Sequence, residues 1–192
     1  MRNFVKWLAH RLLGDYSIYV IFTESCGREH SAGLPAEPLL AFGPVTEVAI
    51  RGSSDSLIRE QADYCGDDSS AFACLDGDRI VGICFYWYAE RYRKRNFWPL
   101  RDRQAKLVQI LTLPEMRGRG IASRLIKCSS QEMGKRGFSR LYARIWHSNA
   151  ASVAAFERAG WTRVALVIEI SPLGLRHRIQ IPLARKRDHQ NV

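Results

Sequence analysis

The stretch 106-KLVQILTLPEMRGRGIASR-124 decides the fold that this sequence predicts. It opens with an apolar run at 107–113 that has the length and composition of a buried strand. Pro114 ends that strand, because proline cannot donate a hydrogen bond to a sheet. A helical pattern of apolar residues begins at Ile121, directly after two glycines. The local order is therefore strand, glycine-bearing turn and helix N-terminus.

This turn is suited to bind a phosphate or pyrophosphate group. The first turn of a helix offers unpaired backbone N–H groups and a positive dipole end. Gly118 and Gly120 let the backbone approach an anion closely, and Arg117 and Arg119 add positive charge. The spacing fits neither a dinucleotide fingerprint nor a P-loop. The alternative interpretation is an ordinary strand-to-helix turn that uses its glycines only for tightness.

Two motifs together resemble a known family. The pattern Pro-x-x-Arg-Gly-x-Gly-x-Ala, which begins at Pro114, resembles the acyl-CoA-binding segment of the GCN5-related N-acetyltransferase (GNAT) superfamily. The block 149-NAASVAAFERAGW-161 resembles a later motif of that family, in which an Asn begins a helix and Gly-aromatic closes it. Their order and separation are also family-like, so the chain is identified as a GNAT member over roughly residues 45–183.

The resemblance implies an α/β (α+β) fold with a mixed, largely antiparallel sheet and helices on both faces. The strand before the glycine-bearing turn and the strand before Asn149 would be parallel neighbours that splay into a V. In the family, the pantetheine arm of the cofactor lies in that gap. We expect residues 1–44 to form an N-terminal amphipathic helix, a strand and a covering loop, residues 45–187 the acetyltransferase domain, and residues 188–192 a tail.

Hydrophobic periodicity predicts the remaining elements. Asp76-Gly77-Asp78 between two β-rich runs indicates a hairpin. The predicted helices are 2–13, one capped by Ser54 or Asp55, one from the turn to Lys135 and one from Asn149 to Ala159. The predicted strands are 16–22, 45–51, 71–75, 79–88, 107–113, 138–146, 162–170 and 177–183, and residues 24–44 are predicted to be a linker or covering loop.

The composition limits the possible partners. Lysine and arginine number 29 against 19 acidic residues, and this net charge of +10 favours anionic partners such as CoA, phosphorylated substrates, nucleic acid or an anionic membrane surface. No recognised nucleic-acid motif is present, so no specific nucleic-acid partner is expected. The five histidines and five cysteines form no cluster in the sequence, so no metal site is expected.

The apolar segments are too short to predict a membrane span. No run of about 18 apolar residues occurs, so we expect no transmembrane segment and a cytoplasmic protein. The amphipathic helix predicted at 2–13 would either pack on its own domain or contact an anionic membrane surface peripherally. Nothing in the sequence indicates an oligomeric state.

Cofactor binding follows from the resemblance, which implies acetyl-CoA as co-substrate. The backbone of the central strand would pair with pantetheine and polarise the thioester carbonyl. The glycine-bearing turn would hold the pyrophosphate, and Asn149 would contact the cofactor arm. The predicted cofactor-binding residues are Ile110, Leu111, Thr112, Arg117, Gly118, Arg119, Gly120, Ile121, Ala122 and Asn149.

The proton-handling positions depart from the family pattern. Phe156 stands where many members place an acid tyrosine, and Arg144 stands where some carry a carboxylate base. His147 and Glu90 are the predicted catalytic substitutes, because histidine and carboxylate side chains are the usual groups for proton transfer. The alternatives are that His147 is a helix-entry residue and that Glu90 pairs with neighbouring arginines.

The segment 90–103 is the predicted acceptor region. Six basic residues alternate there with Tyr92, Phe97 and Trp98, a composition that can bind phosphates and stack on a base or sugar. Arg93, Arg95 and Trp98 are therefore the predicted substrate-binding residues. The alternative is a solvated loop with its aromatic side chains against the sheet.

These observations predict an acetyl-CoA-dependent N-acetyltransferase that acts on the amine of a small anionic acceptor. A nucleotide-linked amino sugar would fit the basic, aromatic segment. Two alternatives belong to other classes of protein. One is a non-catalytic CoA-binding sensor, and the other is a module that binds nucleic acid or a membrane through its basic surface.

Overall fold

A computed structural model describes residues 15–26, 40–93, 98–171 and 177–183 of the chain. The helix predicted at 2–13, Arg95 and the predicted tail lie outside these residues. The strands are β1 Asp15–Ser25, β2 Leu40–Pro44, β3 Ser69–Asp76, β4 Arg79–Trp87, β5 Gln104–Thr112, β6 Arg140–Trp146, β7 Thr162–Ser171 and β8 His177–Pro182. The α-helices are α1 Glu47–Arg51, α2 Ser56–Arg59, α3 Ala89–Arg93, α4 Ile121–Lys135 and α5 Ala150–Arg158, and 3-10 helices cover Glu60–Tyr64 and Pro114–Met116.

The strands form one eight-stranded sheet in the order β2-β3-β4-β5-β6-β1-β7-β8. Strands β5 and β6 are parallel, and the other neighbouring pairs are antiparallel. The crossover between the parallel strands is α4, as a parallel connection requires. This arrangement confirms the predicted mixed, largely antiparallel α/β fold.

Helices cover both faces of the sheet, and β4 shows why. Its side chains alternate between the faces, as the two-residue period of a strand dictates. Cys84 and Tyr86 pack in the cluster that contains the α4 residues Leu125 and Ile126. Ile83 and its neighbours on the other face pack with apolar residues of α1 and α2. The sheet therefore has an apolar core on each side.

Strand β1 lies inside the sheet, although it comes from the N-terminal part of the chain. Val20 pairs with Ile145 of β6 on one side and with Leu166 of β7 on the other. Phe22 is fully buried in the main core beside Phe156, with ring centroids 5.7 Å apart. The sheet thus includes residues that precede position 45.

The strand predicted at 45–51 is wrong. The strand in this part of the chain is β2, which ends at Pro44, and residues 47–51 form the short helix α1. The alternating apolar residues Val48 and Ile50 resemble a strand pattern, but Val48 is 81% exposed. Capping decides the local structure, because the Thr46 hydroxyl accepts a hydrogen bond from the Ala49 N–H at 3.3 Å. Arg51 and Glu47, which lie one helical turn apart, form an ion pair at 2.8 Å that also stabilises the helix.

Three other boundaries differ from prediction. Part of the predicted covering loop at 24–44 belongs to strands, namely the end of β1 and all of β2. The helix predicted after Asp55 is shorter than expected, since α2 ends at Arg59 and continues as a 3-10 helix. The segment 90–103 begins as helix α3 rather than as a loop. The predicted hairpin and the helices that begin after Gly120 and Asn149 are confirmed.

The position of β1 predicts that this strand contributes strongly to stability. Phe22→Ala should lower the free energy of unfolding by about 3–5 kcal/mol, because it removes a buried aromatic ring and leaves a cavity. Urea denaturation followed by circular dichroism measures the change. Val48→Ala, which removes apolar atoms from an exposed side chain, is the matched control and should have little effect. A small effect of Phe22→Ala would contradict the interior position of β1.

Candidate functional site

The site begins where β5 and β6 separate. The two strands pair from Gln104 with Arg140 only as far as Leu107 with Ala143. Beyond that point β5 continues beside β4 to Thr112, while β6 continues beside β1 to Trp146. The register between β4 and β5 skips Val108, so a bulge lies where the strands part. A gap therefore opens between the two parallel strands.

Two cavities meet in this gap. The first, which we call the turn cavity, encloses about 460 Å³ at the glycine-bearing turn. The second, the strand cavity, encloses about 440 Å³ between the separated ends of β5 and β6. Both volumes fall in the range of small-molecule sites. The lining of the turn cavity includes Leu111, Thr112, Arg117, Gly118, Gly120, Ile121, Ala122 and Ser123. The lining of the strand cavity includes Tyr92, Lys106, Gln109, Arg144 and Trp146. Four residues line both cavities, namely Ile110, Asn149, Ser152 and Phe156.

The backbone of the glycine-bearing turn is shaped for an anion. Gly118 and Gly120 have φ angles of +80° and +72°, a region that side chains with a Cβ adopt only with strain. A Cβ built on either glycine would have no heavy atom within 4 Å, so open space lies beside this backbone. The first N–H to bond back within α4 is that of Arg124, to the Gly120 carbonyl at 3.1 Å. The N–H groups of residues 121–123 consequently precede the hydrogen-bonded part of the helix.

The other polar groups of the turn cavity also fit an anionic, amide-containing cofactor. The Thr112 hydroxyl is buried and has no hydrogen-bond partner among the residues that the structure describes. A buried polar atom of this kind is costly unless a ligand or water bonds to it. Arg117 is exposed at the mouth, and its Nε donates to the Thr112 carbonyl at 3.3 Å. Arg158 from α5 adds a second guanidinium to the lining.

The structure brings the predicted cofactor residues together, with one exception. Arg119 does not line the turn cavity, and its guanidinium lies 3.4 Å from the Met116 sulfur. Sequence reasoning missed Ser123, Ser152 and Arg158. Helical spacing could have found Ser152, which lies one turn after Asn149 and one turn before Phe156 on the same helix.

Asn149 connects the two cavities. Its side-chain oxygen accepts the backbone N–H of Ser152 at 3.1 Å and caps helix α5. The oxygen is thus used for the cap, and the amide nitrogen is the donor that remains for a bound molecule. The cap also fixes Ser152, whose side chain lies at the junction of the cavities.

The predicted catalytic residues lie outside the cleft. His147 is exposed, and its backbone N–H donates to the Ile18 carbonyl at 3.0 Å. Glu90 is exposed and forms an ion pair with Arg93. Neither side chain lines the turn cavity or the strand cavity. Their catalytic role stays a prediction.

The two predicted substrate residues that the structure describes, Arg93 and Trp98, do not line the strand cavity either. Arg93 is engaged with Glu90, and Trp98 packs with its ring centroid 5.9 Å from that of Tyr142. The backbone N–H of Trp98 also donates to the Tyr92 hydroxyl at 2.9 Å. At these described positions Arg93 forms a surface ion pair and Trp98 packs against Tyr142.

A buried polar network lies beneath the helix that follows the turn. The Tyr86 hydroxyl lies 2.9 Å from the Ser129 hydroxyl, and the Trp161 indole N–H donates to the Ser130 hydroxyl at 3.2 Å. Burial raises the pKa of Tyr86, and it raises the pKa of the Cys84 thiol to about 12. These groups stay protonated at neutral pH and act in packing rather than in proton transfer.

Arg79 holds the segment that leads into the turn. Its guanidinium forms two hydrogen bonds to Asp55, at 3.0 and 2.9 Å, and one to Glu115 at 2.6 Å. The hydrogen bond from Arg79 lowers the pKa of Asp55. The pKa of Glu115 is lowered first by its own backbone N–H and then by Arg79. Because Glu115 lies just before Arg117, this cluster connects the β3–β4 hairpin to the turn.

This cluster predicts a pH-dependent contribution to stability. A carboxyl with a lowered folded-state pKa stabilises the fold above its unfolded value, which is near pH 4, and the contribution is lost as the pH falls. Arg79→Gln should therefore lower the melting temperature at pH 7, and the difference from wild type should shrink between about pH 5 and pH 3. Thermal denaturation across this range measures both. Arg101→Gln is the control at an exposed site, and a gap that stays constant with pH would contradict the role of the carboxylates.

Comparison with known proteins places the chain in a family. Residues 45–161 match the sequence model of the acetyltransferase (GNAT) family, and the chain belongs to this family. No curated protein matches the sequence at a significant level. In the part of the chain that the structure describes, no helix is long and apolar enough to cross a membrane, and no group of three or more His, Cys, Asp or Glu residues could hold a metal ion.

Several solved structures share the fold. The GCN5-related N-acetyltransferase from Sphaerobacter thermophilus is 12% identical with a TM-score of 0.57, and the match covers 96% of this chain and 58% of that one. A GNAT acetyltransferase from Colwellia psychrerythraea is 12% identical with a TM-score of 0.56, covering 94% and 61%. A tandem GNAT protein from the clavulanic acid biosynthesis pathway is 12% identical with a TM-score of 0.54, covering 88% and 58%. The chain therefore spans less than two thirds of the length of these structures, and at this identity the likeness is one of fold.

Proposed function

We propose that the protein is an acetyl-CoA-dependent N-acetyltransferase that acts on the amine of a small acceptor. The observation that carries this proposal is the junction of the turn cavity and the strand cavity at Ile110, Asn149, Ser152 and Phe156. A cofactor whose phosphates lie on the turn can extend along β5 to this junction. An acceptor in the strand cavity reaches the same point from the other side, through the gap between β5 and β6.

The residues of the turn cavity would hold the cofactor. Gly118, Gly120 and the N-terminus of α4 would bind the pyrophosphate through backbone N–H groups, with Arg117 beside them. Beyond Val108, the edge of β5 that faces the gap pairs with no strand among the described residues. Its backbone groups are therefore available to an amide-bearing arm, much as an added strand would use them. When bound, acetyl-CoA supplies the acyl group as a thioester.

The junction supplies hydrogen-bond donors rather than a base. A backbone N–H of β5 near Ile110 would donate to the thioester oxygen as negative charge develops there. The Ser152 hydroxyl would donate a hydrogen bond to the departing sulfur. The Phe156 ring cannot do so, because phenylalanine has no O–H group. No carboxylate or imidazole lines either cavity in the described part of the chain. In this arrangement the acceptor amine would lose its proton to water, and the rate would depend mainly on proximity and orientation.

Binding of the cofactor at the turn can be tested directly. Calorimetric titration of the wild-type protein with acetyl-CoA, at low and high salt, should show saturable one-site binding. Gly118→Glu and Gly120→Glu should each weaken binding about tenfold or more, because each places a carboxylate where the pyrophosphate would lie and strains a backbone at positive φ. Gly77→Glu is the matched control, since Gly77 also has a positive φ and open space but lies in the β3–β4 hairpin turn.

The role of Ser152 predicts an effect on turnover rather than on cofactor binding. Ser152→Ala should lower kcat by about ten- to a hundredfold, the effect of losing one hydrogen bond to a charged group. The dissociation constant for acetyl-CoA should change little. Release of free thiol measures kcat, and Ser148→Ala serves as control because that side chain is exposed and outside both cavities. An unchanged kcat for Ser152→Ala would remove this residue from the mechanism.

A CoA-binding sensor without activity is the second candidate function. Phe156 favours it, because this ring is buried at the junction, against Trp161, and offers no proton. A sensor would bind acetyl-CoA yet release no thiol with any amine. The third possibility, binding of nucleic acid or membrane by the basic surface, depends partly on 2–13 and on the tail, which lie outside the described residues. Polyanion binding that both glycine variants leave intact would favour it.

The acceptor predicted from the sequence is a small anionic amine, with a nucleotide-linked amino sugar as one candidate. That prediction rests on the segment 90–103. Since Arg93 and Trp98 do not line the strand cavity, the segment gives this acceptor class little support. The residues of the strand cavity itself are the better guide to the acceptor.

A further inference from the structure

A buried lysine marks the wall of the strand cavity. Lys106 is only 7% exposed, which is rare for lysine. It lies on β5 in register with Trp87 of β4 and Tyr142 of β6. Its ammonium nitrogen is 5.3 Å from the centroid of the Tyr92 ring, which also lines the cavity. The ammonium group is thus held in largely aromatic surroundings, where the field of a positive charge is weakly screened.

Arg144 supplies a second cation to the same cavity. It follows Ala143, the last residue of β6 that pairs with β5. The centre of its guanidinium group lies 4.4 Å from the ring centroid of Tyr19, and the Tyr19 ring lies 4.4 Å from that of Trp146. A guanidinium group held against a ring in this way has a fixed plane, and its planar N–H donors match the geometry of an oxyanion. The N-terminal strand β1 thereby positions a residue of the site.

The charged side chains in the described lining of the strand cavity are positive. Lys106 and Arg144 are the charged residues in its lining among those that the structure describes, and no aspartate or glutamate accompanies them there. A small pocket with positive walls attracts anions and repels cationic ligands. The opposite end of the cavity, at Ile110 and Phe156, is apolar and lies at the junction where an acyl group would be transferred.

We propose that the acceptor is an amine that also carries a carboxylate or phosphate group, and that Lys106 and Arg144 bind this group in the strand cavity. The proposal rests on the proposed acetyl transfer and names the substrate class of the same site. The anion would lie near the start of the gap, and the amine would point toward the junction. Polycationic amines would be excluded.

Matched acceptors test this assignment. With saturating acetyl-CoA, thiol release should be faster with glycine than with glycinamide if the subsite takes a carboxylate. It should be faster with O-phosphoethanolamine than with ethanolamine if the subsite takes a phosphate. Lys106→Gln and Arg144→Gln should each lower kcat/KM for the preferred anionic amine about ten- to a hundredfold, because a charge-assisted hydrogen bond is lost. The kcat/KM for its neutral partner should fall less, so the ratio between the charged and the neutral amine should shrink, and Arg144→Lys should restore part of that ratio.

Two control variants remove the same charges elsewhere. Lys135→Gln and Arg51→Gln disrupt exposed ion pairs with Glu132 and Glu47, outside the strand cavity. Both should retain the wild-type preference between charged and neutral amines. A general effect of net charge would instead appear in all four glutamine variants.

A titration that needs no turnover completes the test. The CoA-saturated protein, in which the turn is occupied, should bind inorganic phosphate or acetate saturably, and Arg144→Gln should weaken that binding even if Lys106→Gln does not fold. The titration decides the question if none of the four amines is acetylated. Equal use of charged and neutral amines, or anion binding that Arg144→Gln leaves intact, overturns the proposal. Failure to bind acetyl-CoA contradicts the proposed function instead, and anion binding that depends on Arg144 would still support the subsite.

Discussion

The separation of β5 from β6 after Leu107 and Ala143 is the constraint on which the rest of the structure depends. Two adjacent strands can part inside a sheet only if each keeps a partner on its other side, because unpaired buried backbone groups are costly. Strand β4 accompanies β5 to Thr112, and β1 accompanies β6 to Trp146. The gap is therefore a stable feature of the hydrogen-bonding pattern, and both cavities follow from it.

Strand β1 has two roles in this arrangement. It completes the hydrogen bonds of β6 where β5 has departed, and it buries Phe22 in the main core. It also places Tyr19 against Arg144 and Trp146 at the strand cavity. A segment that lies outside the two recognised motifs thus supports the shape of the site and the orientation of one of its charged side chains.

The sequence predicted the parts of the site that depend on local structure. The glycine-bearing turn and the Asn149 cap are set by residues within a few positions of each other, and both are found where their motifs indicate. Helix α1, which replaces the strand predicted at 45–51, was not predictable from apolar alternation, because the Thr46 cap outweighs a weak apolar pattern. Lys106 and Arg144 line one cavity because β5, β6 and β1 pair. This pairing joins distant parts of the chain, and local patterns carry no information about it. Composition instead pointed to the segment 90–103, where the basic residues are conspicuous but lie outside the strand cavity at the described positions.

The interior position of β1 also affects how the chain folds during synthesis. The Thr23 hydroxyl donates to the Leu141 carbonyl at 2.9 Å, and 118 positions separate these two residues. During translation, β1 is therefore synthesised long before its partner strands β6 and β7. Contacts of such large sequence separation slow folding, and an apolar strand that waits unpaired is prone to aggregate. Strand β1 therefore cannot reach its native pairing until residues 140–171, which contain β6 and β7, have been synthesised.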